Sequence, residues 1–339
     1  MTDGDHTAAA MAEGHQTINV TRREDKTTKM RLLQFLIKPF RPRLATARKK
    51  SYPGSPQLTA PRAVHKRCNV TERQVNDIWI YDLTPRSVNP KEGSPSPFKR
   101  RVYYFSGGGW QQPPSGGHWK FLTELTNRLD DTTISIVSYP LAPKCPASVT
   151  MPLLRTFYDS IMKEAETQGE HIVFAGDSSG GNIILCLVAW ALQSPEARAP
   201  SALMCICPTT DLRHLDKKII DVAKNDPIFT SDSIEGTANA WVGGDKGSKE
   251  WGLEDPRVSP VLANFEELKR RGVKINGVIG TWDVLSVEAI AFRDRCSEQG
   301  IEGEWLEWEG QMHCFPLVFP YGFQESTESV DWIVRTLSE

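Results

Sequence analysis

Short apolar runs alternate with helical patterns along most of the chain. Runs bounded by turn residues predict strands at 75–81, 100–105, 134–139, 171–175, 202–206, 274–279 and 304–308. Apolar residues recur at helical spacing at 151–168, 180–193 and 326–337. Strands that alternate with helices predict a mostly parallel sheet with helices on both faces, which is an α/β fold.

The N-terminal part departs from this pattern. Residues 1–28 are small and polar without apolar periodicity, which predicts a flexible N-terminus. Residues 29–66 are rich in Lys and Arg and then in proline, which predicts a basic amphipathic helix followed by a linker. The apolar positions of that helix are Met30, Leu33, Ile37 and Phe40. We expect the helix to form a lid over a pocket; the alternative is contact with an anionic membrane surface.

The remaining residues, 67–339, are numerous enough to form a domain with a sizeable core. The polar stretch 212–256 interrupts the alternation of strands and helices, so we interpret it as an insertion into this domain. No apolar run approaches the roughly 18 residues that would span a bilayer.

Composition narrows the functional class. The chain has 339 residues, with 40 Lys and Arg against 42 Asp and Glu, a net charge of −2. This balance argues against a nucleic-acid partner. The seven cysteines include no Cys-x-x-Cys pair, which favours free thiols in a reducing compartment. Because the N-terminus shows no secretory signal, the predicted location is cytoplasmic. The sequence leaves the oligomeric state open.

A serine at a predicted strand-to-helix turn is the first candidate for chemistry. The strand at 171–175 runs into Gly176-Asp177-Ser178-Ser179-Gly180-Gly181, and a helical pattern follows. This is a G-x-S-x-G sequence in the setting where a tight turn exposes the serine above a sheet. Gly176 and Gly180 allow the turn, and the helix N-terminus stabilises developing negative charge. Ser178 is therefore predicted to be a nucleophile.

A serine nucleophile needs a base and a carboxylate that orients the base. In this kind of turn the chain order is serine, then Asp or Glu, then His. His313 lies between the last predicted strand and the last helix, whereas His214 lies in the polar insertion and is expected at the surface. Asp283 closely follows the strand at 274–279, so we predict Asp283 as the acid and His313 as the base. The weaker candidates for the acid, which lack such a strand before them, are Asp226 and Asp255.

Three glycines follow the strand at 100–105, in Ser106-Gly107-Gly108-Gly109-Trp110. Because they have no Cβ atoms, their N–H groups can turn toward one oxygen. Removal of one such preorganised donor typically costs about 3 kcal/mol of transition-state stabilisation. The run lacks the Lys-Ser/Thr ending of a phosphate-binding P-loop, so we interpret it as part of an oxyanion hole.

Together these motifs resemble the hormone-sensitive-lipase-like branch of the α/β-hydrolase superfamily, which includes arylacetamide deacetylase and many microbial and fungal esterases. The fungal type is the expected one. Further matching segments occur in family order and extend the resemblance over most of the chain. They are Tyr139-Pro140-Leu141-Ala142-Pro143, Asp226-Pro227-Ile228-Phe229-Thr230, Ser259-Pro260-Val261-Leu262, Asp283-Val284-Leu285 with Glu288, and His313-Cys314-Phe315.

The resemblance implies an α/β-hydrolase catalytic domain with a helical cap, built from the N-terminal helices and the insertion at 212–256. The catalytic residues that it implies are Ser178 as nucleophile, Asp283 as acid and His313 as base. The oxyanion-hole donors that it implies are the N–H groups of Gly107, Gly108 and Ser179. The family normally has His where this chain has Ser106, and often Gly where it has Cys314. These departures affect the glycine loop and the space beside the base.

The activity expected from this resemblance is hydrolysis of a carboxylic ester through an acyl-enzyme, which requires no metal or organic cofactor. The expected partner is a medium-sized apolar or aromatic ester. The candidate pocket residues, near the glycine loop and in the insertion, are Trp110, Trp119, Trp241 and Trp251, each of which could equally belong to the core. One alternative is a repurposed biosynthetic enzyme that transfers the acyl group, hydrolyses a lactone or amide, or cyclises its substrate. Another is a non-catalytic small-molecule receptor on the same fold.

Overall fold

The computed structural model describes residues 16–44, 52–87, 98–244 and 249–339. The described residues contain nine strands in one sheet. The strands are β1 Ile18–Arg23, β2 Cys68–Val75, β3 Ile78–Pro85, β4 Arg100–Phe105, β5 Thr132–Ser138, β6 His171–Asp177, β7 Ala202–Ile206, β8 Lys274–Gly280 and β9 Gly303–Trp308.

Helices connect most of these strands. The α-helices are α1 Thr28–Ile37, α2 Arg41–Leu44, α3 Arg62–His65, α4 Gly116–Arg128, α5 Ala147–Gln168, α6 Ser179–Ala191, α7 Lys218–Ala223, α8 Ser231–Trp241, α9 Glu266–Arg270, α10 Ser286–Glu298 and α11 Gln324–Ser338. Short 3-10 helices occur at Lys38–Phe40, Lys249–Trp251, Pro260–Leu262 and Phe315–Tyr321.

The sheet is mostly parallel. Its strand order is β1-β9-β8-β7-β6-β4-β5-β3-β2. β3 pairs antiparallel with both β2 and β5, and every other neighbouring pair among these strands is parallel. Helices α5, α6 and α10 pack on one face, and α4 and α11 pack on the other. The predicted α/β fold with helices on both faces is confirmed.

Parallel strands bring their carboxyl ends to one edge of the sheet, where α/β proteins place their sites. The residues that follow β4, β6, β7, β8 and β9 therefore meet at the same edge. The insertion at 212–256 contributes α7 and α8 as cap helices near this edge. The fold thus joins segments that lie more than 200 residues apart, as the numbering of β4 and β9 shows.

The strand predicted at 75–81 is confirmed for residues 78–81, which belong to β3, but it begins too early. Asn76 and Asp77 form the turn of a hairpin between β2 and β3, with φ values of 48° and 63°. A two-residue hairpin loop needs positive φ at both central positions, which Asn and Asp tolerate. The turn lacks the glycine that would mark it in the sequence.

The predicted flexible N-terminus at 1–28 is wrong for Ile18–Arg23, and residues 1–15 lie outside the described residues. Ile18–Arg23 forms β1, which pairs in parallel with β9 at the sheet edge. Thr17 reinforces the pairing, since its hydroxyl donates to the Ile301 carbonyl at 2.6 Å. The apolar alternation of these six residues is weak, so their strand conformation depends on pairing with β9.

The basic helix predicted within residues 29–66 is confirmed as α1, and residues 45–51 of that segment lie outside the described residues. Its first turn is capped by the Thr27 hydroxyl, which accepts the Met30 N–H.

Helix α4 was not predicted from the sequence, because it begins with Gly116 and Gly117. In the structure, Ser115 caps α4 by accepting the N–H of His118.

Candidate active site

Ser178 lies in the turn between β6 and α6. Its backbone has φ 53° and ψ −121°, which non-glycine residues rarely adopt and which recurs at functional turns. The Ser178 N–H donates to the Ile206 carbonyl of β7 at 2.8 Å and fixes the turn to the sheet. The side chain lines a cavity, and its hydroxyl makes no hydrogen bond within the described part of the chain.

Close packing explains the glycines of this turn. A Cβ atom at Gly176 would lie 2.6 Å from the carbonyl carbon of Gly180. A Cβ atom at Gly180 would overlap the backbone carbonyl of Phe105 in β4. Helix α6 therefore approaches the strands at backbone contact distance, and the predicted need for small residues at both positions is confirmed.

Asp283 and His313 are in direct contact after the neighbouring strands β8 and β9. Asp283 Oδ2 lies 2.6 Å from His313 Nδ1, and both residues are buried. Burial by itself would lower the pKa of His313, but the Asp283 carboxylate raises this pKa to about 9. Because Asp283 accepts the Nδ1 proton, the neutral ring carries its lone pair on Nε2. The Nε2 atom is thus the one that can accept a proton from a nucleophile.

The second buried carboxylate is Asp226, which supports the loop that carries Asp283. One Asp226 oxygen accepts the N–H groups of Ile228 and Phe229, and the other accepts the Val284 N–H at 2.9 Å. Burial and the charge of Asp283 raise the pKa of Asp226 to about 6. In the structure Asp226 joins the cap insertion to the acid loop, whereas the sequence had offered it as a weaker candidate for the acid.

Cys314 fills the space directly beside the base. Its sulfur lies 3.3 Å from His313 Nε2 and 3.6 Å from Asp177 Oδ2. Phe229 packs edge-on against the other side of the His313 ring, with 4.7 Å between ring centroids. The His313 ring is therefore in contact with a thiol and an aromatic ring.

The glycine loop after β4 is held by Asp177. Asp177 Oδ1 accepts the Gly107 N–H at 2.9 Å and the Tyr104 hydroxyl at 2.7 Å. The Gly107 N–H, which was predicted as an oxyanion donor, therefore already donates a hydrogen bond to a buried carboxylate. Its role in the structure is to position the loop.

The other N–H groups of the loop are free of such bonds. Gly108 and Gly109 have φ values of 130° and 60°, which only glycine adopts without strain. Within the described ranges, the N–H groups of Gly108, Gly109 and Ser179 donate no hydrogen bond. Each belongs to a residue that lines the same cavity as Ser178 and His313. They can therefore donate to an oxygen bound there.

The cavity has a volume of about 580 Å³. Its apolar wall comes from three segments that are distant in sequence: α1, the cap insertion and the 3-10 helix after His313. Apolar residues of this wall are Leu33, Ile37, Ile228, Phe229, Ile234, Leu317 and Val318. Helix α1 contributes Leu33 and Ile37 to this wall, and its role as a lid stays a prediction.

Of the predicted pocket tryptophans, Trp110 lines the cavity. Trp241 stacks on Trp110 from behind, with 5.4 Å between ring centroids, and is fully buried. Trp119 packs edge-on against Tyr81 beneath α4, on one of the two core faces of the sheet. Trp251 packs against Trp190. The pocket assignments of Trp119, Trp241 and Trp251 are wrong, because each ring faces the core side of its own element.

His214 is a site residue that the sequence analysis missed. Its side chain is 2% exposed, and Nδ1 lies 2.9 Å from Glu288 Oε2 in α10. It also lines the cavity, so the predicted surface position is wrong. The polar neighbours of His214 in the sequence gave no signal of burial, since the contact with Glu288 joins residues 74 positions apart.

Comparison with known proteins agrees with this geometry. The sequence model of the alpha/beta hydrolase fold matches residues 102–317, well over half of the chain. The chain belongs to the α/β-hydrolase family. The esterase LipU of Mycobacterium tuberculosis is 25% identical over 228 residues, which cover 67% of this chain and 73% of LipU. Hormone-sensitive lipase of Ictidomys tridecemlineatus is 29% identical over 167 residues, which cover 48% of this chain and 21% of that lipase.

A solved structure supports the fold of this α/β hydrolase. Carboxyl esterase 2 from Tuber melanosporum superposes with a TM-score of 0.75 at 17% identity, covering 93% of this chain and 99% of the other. The predicted membership of the hormone-sensitive-lipase-like branch is confirmed. The fungal type stays a prediction.

Ser106 stands at the position where the resemblance to the hormone-sensitive-lipase-like branch leads us to expect His. The Ser106 hydroxyl is buried and has no partner within the described residues. A histidine from α4 instead supports the loop, since His118 Nε2 lies 3.1 Å from Asp177 Oδ2. The Ser115 N–H donates to His118 Nδ1 at 3.0 Å, which places the ring proton of the neutral form on Nε2, facing Asp177. Burial would raise the pKa of Asp177, but His118 and the other donors keep it below its ordinary value.

Proposed function

We propose that this α/β hydrolase is a serine carboxylic ester hydrolase. The observation that carries the proposal is the buried Asp283–His313 pair beside a strained Ser178, with His313 and Ser178 lining one cavity. LipU and carboxyl esterase 2 are named as esterases, which supports the same class of reaction. A carboxylate, an imidazole and a serine in this order supply a nucleophile with its base and the group that orients the base.

In the proposed reaction, Ser178 Oγ attacks the acyl carbon while His313 Nε2 takes the serine proton. Asp283 stabilises the imidazolium that forms. His313 then returns the proton to the leaving alkoxide. A water molecule activated by His313 releases the acyl group from Ser178 in the second half of the reaction. Hydrogen bonds of this kind tighten only when substrate is bound, so Oγ and Nε2 are expected to meet in the complex.

The proposed oxyanion hole differs by one position from the sequence-based prediction. Because the Gly107 N–H donates a hydrogen bond to Asp177, Gly109 takes its place among the proposed donors. Free backbone donors at the N-terminus of α6 and in the glycine loop stabilise the negative charge that develops on the acyl oxygen. The proposed donors are Gly108, Gly109 and Ser179.

The cavity supports a medium-sized apolar acyl or aromatic group as substrate. Its volume of about 580 Å³ lies within the range of small-molecule pockets. Trp110 supplies an aromatic wall, and the cap supplies aliphatic side chains. Apolar burial then favours longer acyl groups until the cavity is full.

Hydrolysis of p-nitrophenyl acetate, hexanoate, benzoate and palmitate tests this function. We expect hexanoate and benzoate esters to give a higher kcat/KM than acetate, and palmitate to be hydrolysed poorly. Covalent capture of the ester without turnover would instead favour an acyl acceptor other than water, as in a repurposed enzyme. Reversible ester binding without capture or turnover would favour the receptor alternative.

The rate of hydrolysis is expected to rise with pH and to level off above about 9. Burial would lower the pKa of His313, but Asp283 raises it to about 9, and only the neutral ring accepts the serine proton. Activity is therefore lost as pH falls through this value. The measurement is kcat/KM against pH, after subtraction of the uncatalysed rate. In Asp283→Asn the midpoint should move to lower pH and the maximum rate should fall; an unmoved midpoint would contradict the assigned pair.

Helix α1 supports a second proposal, that the lid also contacts an anionic membrane surface. Residues 28–44 include five Lys or Arg and no Asp or Glu. Leu33 and Ile37 face the cavity, whereas Phe35 is 74% exposed on the opposite side. Other apolar side chains of this segment that are more than half exposed are Leu32, Leu36, Phe40 and Leu44. Apolar side chains among basic residues are typical of helices that lie on anionic lipid.

Two matched substitutions separate the lid from the membrane contact. Phe35→Ser should weaken association with phosphatidylserine-containing vesicles by about tenfold, because it removes an exposed ring that would enter the lipid. Leu33→Ser should leave vesicle association intact and change acyl-length selectivity in solution, since Leu33 lines the cavity. Vesicles of phosphatidylcholine alone are the lipid control. Equal vesicle association of wild type and Phe35→Ser would leave α1 as a lid only.

Two observations bear on where the protein acts. Across the described ranges, no helix combines the length and the apolar character that crossing a bilayer requires. All seven cysteines are free, which supports the expectation of a reducing compartment such as the cytoplasm.

A further inference from the structure

Three potential metal ligands converge beside the cavity, and the proposed reaction uses only one of them. They are the Sγ atoms of Cys207 and Cys314 and a ring nitrogen of His313, all within 4.8 Å of one another. Cys207 follows β7 and Cys314 follows His313, so two neighbouring loops at the carboxyl edge of the sheet supply the set. Both cysteines are free thiols.

The backbone turns both thiols toward this point. Cys207 and Cys314 have φ values of 46° and 48°, in the left-handed region that non-glycine residues seldom adopt. The Cys314 N–H donates to Cys207 Sγ at 3.3 Å, which is a contact that stabilises a thiolate. Cys205, two positions earlier, belongs to the core cluster on the opposite face of the sheet.

We propose that Cys207, Cys314 and His313 form a binding site for Zn²⁺, and that zinc bound there inhibits the enzyme. Two thiolates and one imidazole with an open fourth position are a known ligand set for zinc. With Zn–S bonds of about 2.3 Å, tetrahedral ligands lie about 3.8 Å apart. The present separations, from 3.3 Å between Cys314 Sγ and His313 Nε2 up to at most 4.8 Å, therefore need to change by at most about 1 Å.

The surroundings of His313 match those of a metal ligand. A metal-bound histidine usually donates its other ring N–H to a carboxylate, which orients the ring. His313 Nδ1 already contacts Asp283, so Nε2 is left for the metal, 3.3 Å from Cys314 Sγ. Asp177 Oδ2 lies 3.6 Å from the same sulfur and contacts His118, so it belongs to the surroundings of the site and not to the three ligands.

Binding involves no redox change. The two thiols release their protons to solvent as the Zn–S bonds form, and the Nε2 lone pair forms the third bond. That lone pair is the one the proposed reaction needs to accept the Ser178 proton. The inhibitory part of this inference therefore rests on the proposed function, whereas zinc binding itself does not.

Cadmium and zinc titrations of the full chain test the two parts separately. Cd²⁺ serves as the spectroscopic probe, because cadmium–thiolate bonds absorb in the ultraviolet, and a phosphine reductant keeps the thiols reduced. We expect wild type to show this absorption at one equivalent, and Cys207→Ala and Cys314→Ala to lose it. Cys205→Ala is the matched control, since it removes a buried thiol of β7, two positions before Cys207 and outside the cluster. Melting curves verify that each variant is folded.

The activity arm measures inhibition of ester hydrolysis by Zn²⁺. The zinc concentration for half inhibition should rise at least about tenfold in Cys207→Ala and remain at the wild-type value in Cys205→Ala. The absence of cadmium–thiolate absorption in wild type, or its persistence in Cys207→Ala, would overturn the site. Absorption as expected with undiminished hydrolysis would overturn the inhibition. If wild type hydrolyses no ester, the absorption still decides the site, and the proposed function fails independently.

Discussion

Ser178→Ala is expected to lower ester hydrolysis by about 10⁴-fold or more, because it removes the hydroxyl that attacks the acyl carbon in the proposed reaction. The melting temperature should stay close to that of wild type. The Ser178 hydroxyl makes no hydrogen bond within the described residues, and alanine can keep the same backbone contact with Ile206. A change without lost contacts usually alters the free energy of unfolding by less than about 0.5 kcal/mol.

Fluorophosphonate labelling, read by mass spectrometry beside the hydrolysis rate, makes this test specific. Wild type should be labelled on Ser178, and Ser178→Ala should not be labelled. Ser106→Ala is a matched control, since it removes another buried serine hydroxyl, one that has no partner within the described residues. It should retain most of the activity and be at least as stable as wild type. Hydrolysis that survives in Ser178→Ala would refute the assigned nucleophile.

Gly180→Ala is expected to prevent folding to a stable native state. The added Cβ would overlap the carbonyl group of Phe105 and approach the Ser106 carbonyl carbon to 3.0 Å. These are backbone atoms of the central sheet and of the loop after it, so they cannot move aside as a flexible side chain would. Overpacking at such a site costs about 3 kcal/mol or more of the free energy of unfolding. Soluble yield and the urea midpoint measure the effect.

Gly236→Ala is the control for this substitution. Gly236 lies within α8, and its Cβ would meet no atom within 4 Å. Replacing glycine by alanine inside a helix stabilises it by about 0.5–1 kcal/mol. The same change is therefore expected to act in opposite directions at the two positions. A Gly180→Ala protein with the wild-type urea midpoint would show that α6 does not pack against β4 as closely as described.

The proposed zinc site and the proposed ester hydrolysis compete for one atom, His313 Nε2. The raised pKa of His313 has the same origin as its suitability for a metal, because Asp283 stabilises positive charge on the ring. A buried imidazole held by a carboxylate can thus serve either as a proton acceptor or as a ligand. The sulfur of Cys314 lies 3.3 Å from His313 Nε2, and this neighbouring thiol is what makes metal binding by His313 feasible.

The sequence by itself determined the fold class and the residues of the proposed nucleophile, acid and base. Each of these three residues follows a strand that the sequence marks clearly, and parallel strands end at a common edge. The positions of these residues after predicted parallel strands were therefore enough to predict that Ser178, Asp283 and His313 lie in one region of the molecule. The turn that carries Ser178 could also be predicted, because its G-x-S-x-G sequence lies within a few adjacent residues, although the packing that requires glycine at 180 involves Phe105 of β4.

Only the tertiary structure decided which groups around this edge face the cavity. Trp119 and Trp241 look as suitable as Trp110 in the sequence, but the packing of α4 and α8 turns them toward the core. The burial of His214 and the position of β1 likewise depend on partners far along the chain.

The choice of proposed oxyanion donors also depended on the tertiary structure, because the Gly107 N–H donates to a carboxylate 70 residues away. The physical reason is that a motif constrains backbone shape over a few residues, whereas the direction of a side chain or an N–H is fixed by whatever packs against it. In this protein the positions of the proposed catalytic residues follow from short-range rules, and their surroundings follow from long-range contacts.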